Sequence, residues 1–589
     1  MGGKAPHHKP AAGVSGEITN GEVAAMFRTL ADLLAIEGAN PFRVEAYRRA
    51  ARIVEGLPRP VAAMVAEGEN LTRYYGIGKD LAGKIRTIVE TGRLPLLDEM
   101  LARMPEGLLD LLSIPGLGPA RVRLLHDRLG IETLRELEDA IRSGKLRRLS
   151  GFGPKTEEKI LAAIARMRHP GGGRRLLAEV EETARAIAAH LEAFPGAVHA
   201  AIAGSFRRRK ESVGDLDCVM AARDGAGAIR HFLTFPRRAE TLNAGITRAT
   251  ILLYDGLQVD LRVVAPESWG TTLAYFTGAR AHTLAMRHLA RERGWKLNEY
   301  GLFAGERCLA GPGEEGLYAA FAMDWIPPEL REMRGELAAA SSHQLPQLVM
   351  RADIRGDGRV RGVGPDGRVI VARQAEAARK AGLDWLGIAD PMPDSGLRGA
   401  LSADALSRRT DAIARWNAKG AAPQLVCGGI FAIEPSGRIR PDPAPWRARG
   451  FVIIARPRAT ALREDMTEAV EKAVATGLID ILATPTGRRV LESAEFSIDP
   501  ARLIEAARAH DVCLEICGIP QRLDLSDVHA RMARQAGARL LLASAAYTPE
   551  RQKQIGHALD QARRGWLEAE DLVNTSSAPP FPVECSRKA

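Results

Sequence analysis

The chain has 589 residues, 46% of them hydrophobic, and this length predicts roughly three to five domains. Lys and Arg exceed Asp and Glu by 82 to 72, and the formal charge of +10 favours a polyanionic partner such as nucleic acid, although a solvated basic surface would give the same charge. No apolar run approaches the roughly 18 residues that span a bilayer, and the polar N-terminus argues against a secretory signal. The six cysteines are scattered and form no CxxC pair, which favours a reduced, cytoplasmic protein.

After a polar lead-in over residues 1–17, three turns share an apolar-Gly-apolar-Gly pattern followed by a basic helix start. They read YGIGKDLAGKI, IPGLGPARVRLL and LSGFGPKTEEKI. Glycine lets a backbone approach a ligand closely, and the amides that open the next helix hold phosphates without reading sequence. One such turn is equally typical of plain helix packing, but three with a cation close behind favour DNA binding. The predicted contacts are Gly76, Gly78, Lys79, Gly116, Gly118, Arg121, Gly151, Gly153 and Lys155.

A linker, HPGGGRR, separates this helical region from mixed α/β sequence. The stretch LLAEVEETARAIAAHLEAF predicts an amphipathic helix, and short apolar strands follow it. From about residue 348 to 575, strand-like runs alternate with helices, which indicates a layered or barrel α/β domain.

Two carboxylates stand two residues apart in the strand-like run DLDCVM, and a third lies in LQVDLRVV. Asp215 and Asp217 therefore project from one face of a strand, and Asp260 from a neighbouring one. Three such carboxylates suit two divalent cations about 4 Å apart in phosphoryl transfer. Gly204 and Ser205 precede the basic run RRRK, in which Arg208 is suited to neutralise a phosphate. The alternative is a surface charge run beside a strand.

These residues resemble a known family. GSFRRRKESVGDLDCVM is similar to the nucleotidyltransferase signature of the family X DNA polymerases, which include polymerase beta. LAYFTGARAHTLAMRHLARERGWKLNEYGLF resembles the family's nucleotide-binding helix and thumb, and NPFRVEAYRRAARIVEGLP with GIGKDLAGKI resembles its small N-terminal domain. The added C-terminal part resembles the PHP domain of the bacterial branch, a distorted α/β barrel.

The resemblance implies a multidomain α and α/β fold with a helix-hairpin-helix N-terminal region, a nucleotidyltransferase palm, a thumb and a PHP-like barrel. The expected boundaries are a flexible lead-in (1–17), an N-terminal helical DNA-binding domain (18–100), a fingers-like helix-hairpin-helix domain (101–170), the palm (174–265), the thumb (266–335), a linker (336–347), the degenerate PHP-like domain (348–575) and a tail (576–589).

The resemblance also implies residue roles in the palm and thumb. Asp215, Asp217 and Asp260 hold two Mg²⁺ or Mn²⁺ ions, and Asp260 helps to activate the primer 3′-hydroxyl. The expected nucleotide-binding residues are Gly204, Ser205, Arg208, Tyr275, Phe276, Gly278 and Arg280, with the two aromatic rings against the incoming sugar. Arg287 is expected to reach the template minor groove. Ala279 and Thr283 depart from the Ser and Asn usual in the family, so fidelity or nucleotide affinity is expected to differ.

In the N-terminal domain, Lys84 matches the lysine that forms a Schiff base with a 5′-deoxyribose phosphate in polymerase beta. Tyr47 and Arg43 match its neighbours in the phosphate pocket. A desolvated lysine amine is a Schiff-base nucleophile, but the same residue also serves as a plain phosphate contact, and the sequence leaves both open.

The PHP-like domain is expected to lack its metal ligands. In the motifs that supply metal ligands in the family, other residues stand at the ligand positions. Arg355 and Asp357 replace the two histidines of GDLHxH, Pro391 replaces the histidine of TDH, and Phe431 replaces the glutamate of GxE. Pro457 replaces the histidine of SVH, Thr484 replaces the histidine of HPTGR, and Ala545 and Tyr547 replace the first and last residues of DAH. Arg355 is expected to put a positive charge where a cation should sit. Asp390 and Asp524 remain, too few for a polynuclear site.

The sequence thus predicts a template-directed DNA polymerase that fills gaps in DNA repair and whose C-terminal domain holds no metal and cuts no DNA. Deleting that domain is expected to leave nucleotide addition possible if the remainder folds. The alternatives are a polymerase that is also a 3′→5′ exonuclease and a non-catalytic DNA-end-binding protein. The expected partners are gapped or primer–template DNA and deoxynucleoside triphosphates, with no membrane, for a monomer associated with a bacterial nucleoid.

Overall fold

The computed structural model describes residues 20–583, except residues 56, 58–60, 75, 105–106, 113, 115–116, 150, 168–172, 462–463 and 493–495. The chain divides into two compact units, Met1–Gly172 and Gly173–Ala589. The predicted lead-in, Gly116 and the last six residues of the predicted tail lie outside the described residues, as does the side chain of Lys155. No described helix is long and apolar enough to cross a membrane.

The described part of the first unit is helical. Its helices are Asn20–Glu37 (α1), Pro41–Glu55 (α2), Val61–Ala66 (α3), Lys79–Thr91 (α4), Pro95–Arg103 (α5), Gly107–Leu112 (α6), Pro119–Leu129 (α7), Leu134–Arg142 (α8) and Pro154–Met167 (α9). In α1 the apolar residues recur every three or four positions, so Phe27, Leu30 and Leu34 face inward and pack on α2. A second core, around Leu125 and Ile160, holds α6 to α9 together.

The second unit begins with a five-stranded sheet. Its elements are Arg175–Leu176 (β1), Leu177–Glu192 (α10), Ala197–Ile202 (β2), Gly204–Arg207 (α11), Ser212–Val213 (β3), Asp215–Ala222 (β4), Gly225–Phe232 (α12), Arg238–Ala244 (β5), Arg248–Leu253 (β6) and Gln258–Val264 (β7). The strand order is β2-β4-β7-β6-β5, and β4 runs parallel to β7 while the other neighbours are antiparallel. The apolar face of α10 covers the sheet through Val180, Ile187 and Leu191.

A smaller helical and antiparallel part follows. It contains Trp269–Thr277 (α13), Arg280–Glu292 (α14), Lys296–Asn298 (β8), Gly301–Ala304 (β9), Arg307–Cys308 (β10), Glu314–Ala320 (α15) and Glu336–Ser341 (α16). The three strands form one sheet in the order β10-β9-β8. Its core is built on Met286, Tyr318 and Phe321, and Trp566 from the far end of the chain joins it.

The rest of the second unit alternates strands and helices. The strands are Gly356–Val360 (β11), Trp385–Pro391 (β12), Gln424–Ile433 (β13), Ile439–Arg440 (β14), Val452–Pro457 (β15), Ile481–Leu482 (β16), Cys513–Cys517 (β17) and Leu540–Ala543 (β18). The helices are Val371–Lys380 (α17), Ala403–Asn417 (α18), Ala444–Ala448 (α19), Thr467–Val474 (α20), Pro500–Ala509 (α21), Asp527–Ala536 (α22) and Ile555–Arg564 (α23).

These strands form a nearly closed parallel barrel. The order is β11-β12-β13-β15-β16-β17-β18, and β14 pairs with β13 outside this path. Beyond β18, Ala546 bridges Val360, since the Ala545 amide donates to the Arg359 carbonyl at 2.9 Å and the Arg361 amide to the Ala546 carbonyl at 2.9 Å. Trp385 lies inside the barrel beside Gly356, where an added Cβ would be 1.9 Å from the indole ring. The predicted α/β barrel is thus confirmed.

Candidate active site

Three carboxylates converge on the β4–β7 ladder. Asp217 lies directly across the parallel ladder from Asp260, and Asp215 projects from the same face of β4 two residues earlier. One carboxylate oxygen from each residue lies within 4.8 Å of the others, and all three side chains are half-buried. The convergence predicted from the strand period is therefore present.

The short helix α11 closes one side of this cluster. Gly204, its first residue, has a φ of +59°, and an added Cβ would lie 2.2 Å from Oδ2 of Asp217. The Ala203 amide donates to the Asp217 carbonyl at 2.7 Å, which draws the backbone of β2 toward β4. Only glycine fits between this backbone and the carboxylate, so α11 passes within reach of any group bound to Asp217.

The cluster is electrostatically strained without a cation. Burial, together with the charges of Asp215 and Asp260, raises the pKa of Asp217 to about 7. Burial and the charge of Asp260 also raise the pKa of Asp215. Because like charges at this distance destabilise one another, the site favours divalent cations, and carboxylate oxygens are ligands that Mg²⁺ and Mn²⁺ prefer. The triad therefore fits a divalent metal site.

Neighbouring strands hold the third carboxylate in place. Asp260 accepts hydrogen bonds from the Thr250 hydroxyl and, at 2.7 Å, from Gln258 Nε2, and the Arg248 guanidinium lies 3.8 Å away. These partners are not among the residues predicted from the sequence. A signal was available, since Gln258 stands two residues before Asp260 and therefore shares its face of β7.

The basic run that starts at the last residue of α11, from Arg207 to Lys210, is bound to carboxylates. Arg207 makes two 2.7 Å hydrogen bonds to Glu314, and Arg208 donates to Glu332 at 3.0 Å and to the Thr277 carbonyl at 2.7 Å. Nη2 of Arg208 makes no hydrogen bond with a described residue. That Ser205 and Arg208 bind the triphosphate stays a prediction. In that prediction, Nη2 of Arg208 donates to a phosphate oxygen.

The predicted sugar contacts lie at the end of α13. The Tyr275 and Phe276 rings are half-buried with centroids 5.6 Å apart. At Gly278, where α13 ends, an added Cβ would lie 3.2 Å from the Thr283 hydroxyl, which itself donates to the Tyr275 carbonyl at 3.3 Å. The Thr283 hydroxyl therefore has a structural role, since its hydrogen bond joins the start of α14 to the end of α13.

Arg280 and Arg287 lie one above the other on α14. A separation of seven residues places them on one face of the helix, and Arg280 is exposed while Arg287 is half-buried. Neither makes an ion pair with a residue in the described parts of the chain. Their predicted contacts to nucleotide and template stay predictions.

In the first unit, the described glycines of the three hairpins have different roles. Gly76 and Gly151 have positive φ values of 103° and 88°, which form the turns. At Gly78, Gly118 and Gly153, just before α4, α7 and α9, an added Cβ would meet nothing within 4 Å. Glycines needed for packing would face a neighbour, so the open space favours close approach of a ligand, as predicted for a DNA backbone.

Of the cations behind these turns, the structure describes the side chains of Arg121 and Lys79. Arg121 lies over the Phe152 ring with its Cζ 5.6 Å from the centroid. Lys79 is the first residue of α4 and is exposed. Their contacts with DNA stay predictions.

Lys84 and Tyr47 are brought together by α4 and α2. The Lys84 Nζ lies 5.9 Å from the Tyr47 ring centroid and 2.5 Å from Asp80. Arg43 is exposed one turn before Tyr47 on α2. The predicted 5′-phosphate pocket thus has its residues on neighbouring helices, and its ligand stays a prediction.

In the barrel, Arg355 does not lie at the metal-ligand position that its sequence predicts. It precedes β11, at the amino end of the strand, where it is 51% exposed and 4.0 Å from Asp384. Sites in barrels of parallel strands lie at the carboxyl ends. The expectation that Arg355 occupies a cation position is therefore wrong, because the strand starts later than expected; Arg359 and Arg361 stand at its carboxyl end.

Those two arginines are bound to buried carboxylates. Arg361 donates to Asp390 at 2.7 Å, and Arg409 donates to the other oxygen of Asp390 at 3.3 Å. Arg359 makes a bidentate salt bridge to Glu515, with hydrogen bonds of 2.8 and 2.7 Å. Guanidinium groups thus neutralise Asp390 and Glu515.

The other predicted ligand positions add no metal cluster. Asp524 accepts from the Thr486 hydroxyl at 2.8 Å, and Asp357 accepts from the Ser544 amide at 2.9 Å. Burial raises the pKa of each of these two carboxyls to about 6. Among the described residues, the palm triad alone brings three potential metal-ligating side chains together.

Comparison with known proteins assigns the parts of the chain. Residues 177–263 match the DNA polymerase beta palm and residues 272–332 the DNA polymerase beta thumb, while residues 18–94 and 108–166 match a helix-hairpin-helix domain and a SAM-like helix-hairpin-helix tandem. The chain is 31% identical over 568 residues to the DNA polymerase/3′-5′ exonuclease PolX of Bacillus subtilis (strain 168), covering 94% of this chain and 97% of that protein. The chain belongs to the family X DNA polymerases.

Two further relatives match about half of the chain. DNA polymerase lambda of Arabidopsis thaliana is 24% identical over 322 residues, which is 49% of this chain and 57% of that protein. DNA polymerase lambda of Rattus norvegicus is 25% identical over 304 residues, which is 48% of this chain and 49% of that protein. The chain is therefore a DNA polymerase of the PolX type, and the family resemblance, the fold class and the enzyme class predicted from the sequence are confirmed.

Proposed function

We propose that this family X polymerase fills short gaps during DNA repair by two-metal nucleotidyl transfer, and that its barrel domain has no metal-dependent nuclease activity. The observation that carries the first part is the triad of Asp215, Asp217 and Asp260, with Gly204 packed against it. When bound at this triad, two divalent cations supply Lewis-acid stabilisation to the attacking and leaving oxygens.

The chain's own residues then bind and orient the reactants. Thr250 and Gln258 fix the Asp260 carboxylate, which is placed to assist loss of the proton from the primer 3′-hydroxyl. Gly204 and Ser205 bring backbone and hydroxyl donors to the triphosphate, and Arg208 adds a positive charge. Tyr275 and Phe276 pack against the sugar of the incoming nucleotide, where bulk excludes a 2′-hydroxyl.

The helix-hairpin-helix turns and the basic residues of the first unit support binding to gapped DNA. Exposed Gly78, Gly118 and Gly153 admit a phosphodiester backbone, and Lys84 with Tyr47 supports recognition of a 5′-phosphate at the far side of a gap. Such contacts give affinity that is independent of sequence, which suits a repair enzyme.

A second candidate function is 3′→5′ exonuclease activity, because the Bacillus subtilis relative is named as an exonuclease as well as a polymerase. The ion pairs of Asp390 with Arg361 and Arg409 argue against it here. Hydrolysis assisted by metal needs several ligands free to hold the ions, and these carboxylates already have cationic partners.

Primer extension tests the polymerase mechanism. We expect Asp217→Ala to abolish extension of a gapped substrate in Mg²⁺ or Mn²⁺ while its affinity for that DNA stays near that of the wild type. Asp255→Ala is the matched control, since Asp255 is an ion-paired carboxylate of the same sheet region, bound to Arg175 at 2.9 Å. Extension at normal rates by Asp217→Ala would exclude the two-metal assignment, and a wild type that binds DNA but never extends it would favour a non-catalytic end-binding protein.

A further inference from the structure

The turn that follows α11 is bound to α23, near the far end of the chain. Arg209 donates to Asp560 from Nε at 2.9 Å and from Nη2 at 2.6 Å. Arg564 Nη1 donates to the Arg208 carbonyl at 2.6 Å. Asp560 and Arg564 are four residues apart and therefore lie on one face of α23.

Arg209 has a backbone conformation that needs such support. Its φ of +54° lies in the left-handed region, which is unfavourable for a residue with a side chain. A strained residue persists only where its surroundings hold it. Besides Asp560, Glu181 on α10 accepts from Arg209 at 2.7 Å, so the guanidinium is held between the sheet domain and the barrel domain.

Arg564 also joins the network that holds Arg208. It is 3% exposed and donates to Asp527 at 2.8 Å and to Glu332 at 3.3 Å. Glu332 in turn accepts from Arg208. In a buried network of this kind, removing one partner leaves an uncompensated charge, so the members fix each other's positions.

Two further contacts join the same segment to the barrel domain. Glu211 binds Arg488 at 2.6 Å, and Leu176, next to this segment through the β1–β3 pair, packs on Val490 and Leu523. The segment from residue 204 to residue 211 is therefore positioned by the barrel domain as well as by its own sheet.

We propose that α23 positions the nucleotide-binding segment of the polymerase, with Asp560 and Arg564 as positioning residues for nucleotide addition. The inference rests on the proposed role of Gly204, Ser205 and Arg208 in holding the triphosphate. It assigns the barrel domain a function that needs neither metal nor nuclease chemistry. A chain ending near residue 340 lacks both residues, so any nucleotide addition that it retains should show a higher nucleotide KM than that of the full-length chain.

Steady-state addition of one nucleotide by the full-length chain tests the proposal. In Asp560→Asn we expect the KM for the nucleotide to rise about fivefold or more while kcat and DNA affinity stay within about twofold, because the displaced segment weakens nucleotide binding before the chemical step. Asp571→Asn is the matched control. Asp571 is 18% exposed, against 13% for Asp560, and binds Arg534 at 2.7 Å within the barrel domain.

A second variant guards against misfolding. Arg209→Lys keeps the positive charge but loses the guanidinium group, which makes two hydrogen bonds to Asp560. Like Asp560→Asn, it should raise the KM for the nucleotide. An unchanged KM in folded Asp560→Asn or Arg209→Lys would overturn the proposal, as would an equal rise in Asp571→Asn. A wild type without extension activity would instead overturn the proposed function, so the two failures are distinguishable.

Discussion

Gly204 and Asp217 approach so closely that a Cβ atom on Gly204 would lie 2.2 Å from Oδ2 of the aspartate. This contact joins the segment proposed to hold the triphosphate to a carboxylate of the triad. A shift in one therefore moves the other, and the reacting groups depend on a single glycine.

Replacing Gly204 with alanine should therefore slow catalysis about a hundredfold or more without unfolding the protein. The methyl group would push α11 or the Asp217 carboxylate out of place, and a displacement of about 1 Å costs on the order of a hundredfold in rate. Primer extension under single-turnover conditions measures the effect. Gly245→Ala is the control, because its nearest atom would be the Arg248 carbonyl oxygen at 3.5 Å; normal extension by Gly204→Ala would contradict the geometry.

Metal binding at the triad should strengthen as the pH rises. Burial and the neighbouring carboxylates raise the pKa of Asp217 to about 7, so in the metal-free protein this group is protonated at pH 6 and charged at pH 8. An acid whose pKa is raised on folding loses stability as the pH rises from its unfolded value toward 7, and a cation bound to the charged form offsets that loss.

The measurement is the shift in thermal unfolding midpoint on adding Mn²⁺. We expect a larger upward shift at pH 8 than at pH 6, with the apparent affinity changing up to about tenfold per pH unit below 7. Asp217→Asn should remove the difference between the two pH values. Equal shifts at both pH values in the wild type would contradict the assigned protonation.

Recognition of the 5′-phosphate should depend on Lys84. Gapped DNA with a 5′-phosphate is expected to bind about tenfold more tightly than the same DNA without it, the usual contribution of a charged hydrogen bond. Lys84→Ala should remove most of that difference, and Lys145→Ala, an exposed lysine of the same unit, should not. Equal affinities of the wild type for both DNAs would exclude the pocket, and trapping a borohydride-reduced adduct tests lyase chemistry separately.

In the barrel domain, Asp390→Ala should reduce stability and leave nuclease activity absent. Arg361 and Arg409 would lose their shared anion, and removing one partner of a buried pair costs about 3–5 kcal/mol. Thermal unfolding reports the loss of stability. Incubation with Mn²⁺ and labelled single-stranded DNA, without nucleotides, tests the nuclease; degradation by the wild type and not by Asp390→Ala would show a working metal site.

Features that depend on the local spacing of residues could be predicted from the sequence. The two-residue spacing of Asp215 and Asp217 placed both on one face of a strand, and the alternation of apolar strands with helices indicated the barrel. The register of β11 was not predictable, because IRGDGRVRG contains three glycines and three arginines and marks no clear start of the strand. Arg355 was therefore placed at the wrong end, while Arg359 and Arg361 were overlooked.

Long-range ion pairs were also beyond sequence reasoning. The run from Arg207 to Lys210 was interpreted as phosphate-binding charge, because positive residues beside carboxylates suit a polyanionic ligand. Its observed partners Glu314 and Glu332 stand more than a hundred residues away, at distances of 2.7 and 3.0 Å from Arg207 and Arg208. No local pattern connects such partners, since only the folded chain brings them together.

The bond between Arg209 and Asp560 spans 351 residues of sequence. A ribosome that adds about 5–20 residues per second needs roughly 20–70 s to make the intervening chain. The strands β4 to β7 are made early in that interval, so from residue 264 onward the palm sheet has all its own strands while the turn beside its carboxylates still lacks its partner. The nascent polymerase therefore completes this geometry only after residue 560 has been made, so a chain truncated between residues 264 and 560 carries the triad without the contact that fixes the neighbouring turn.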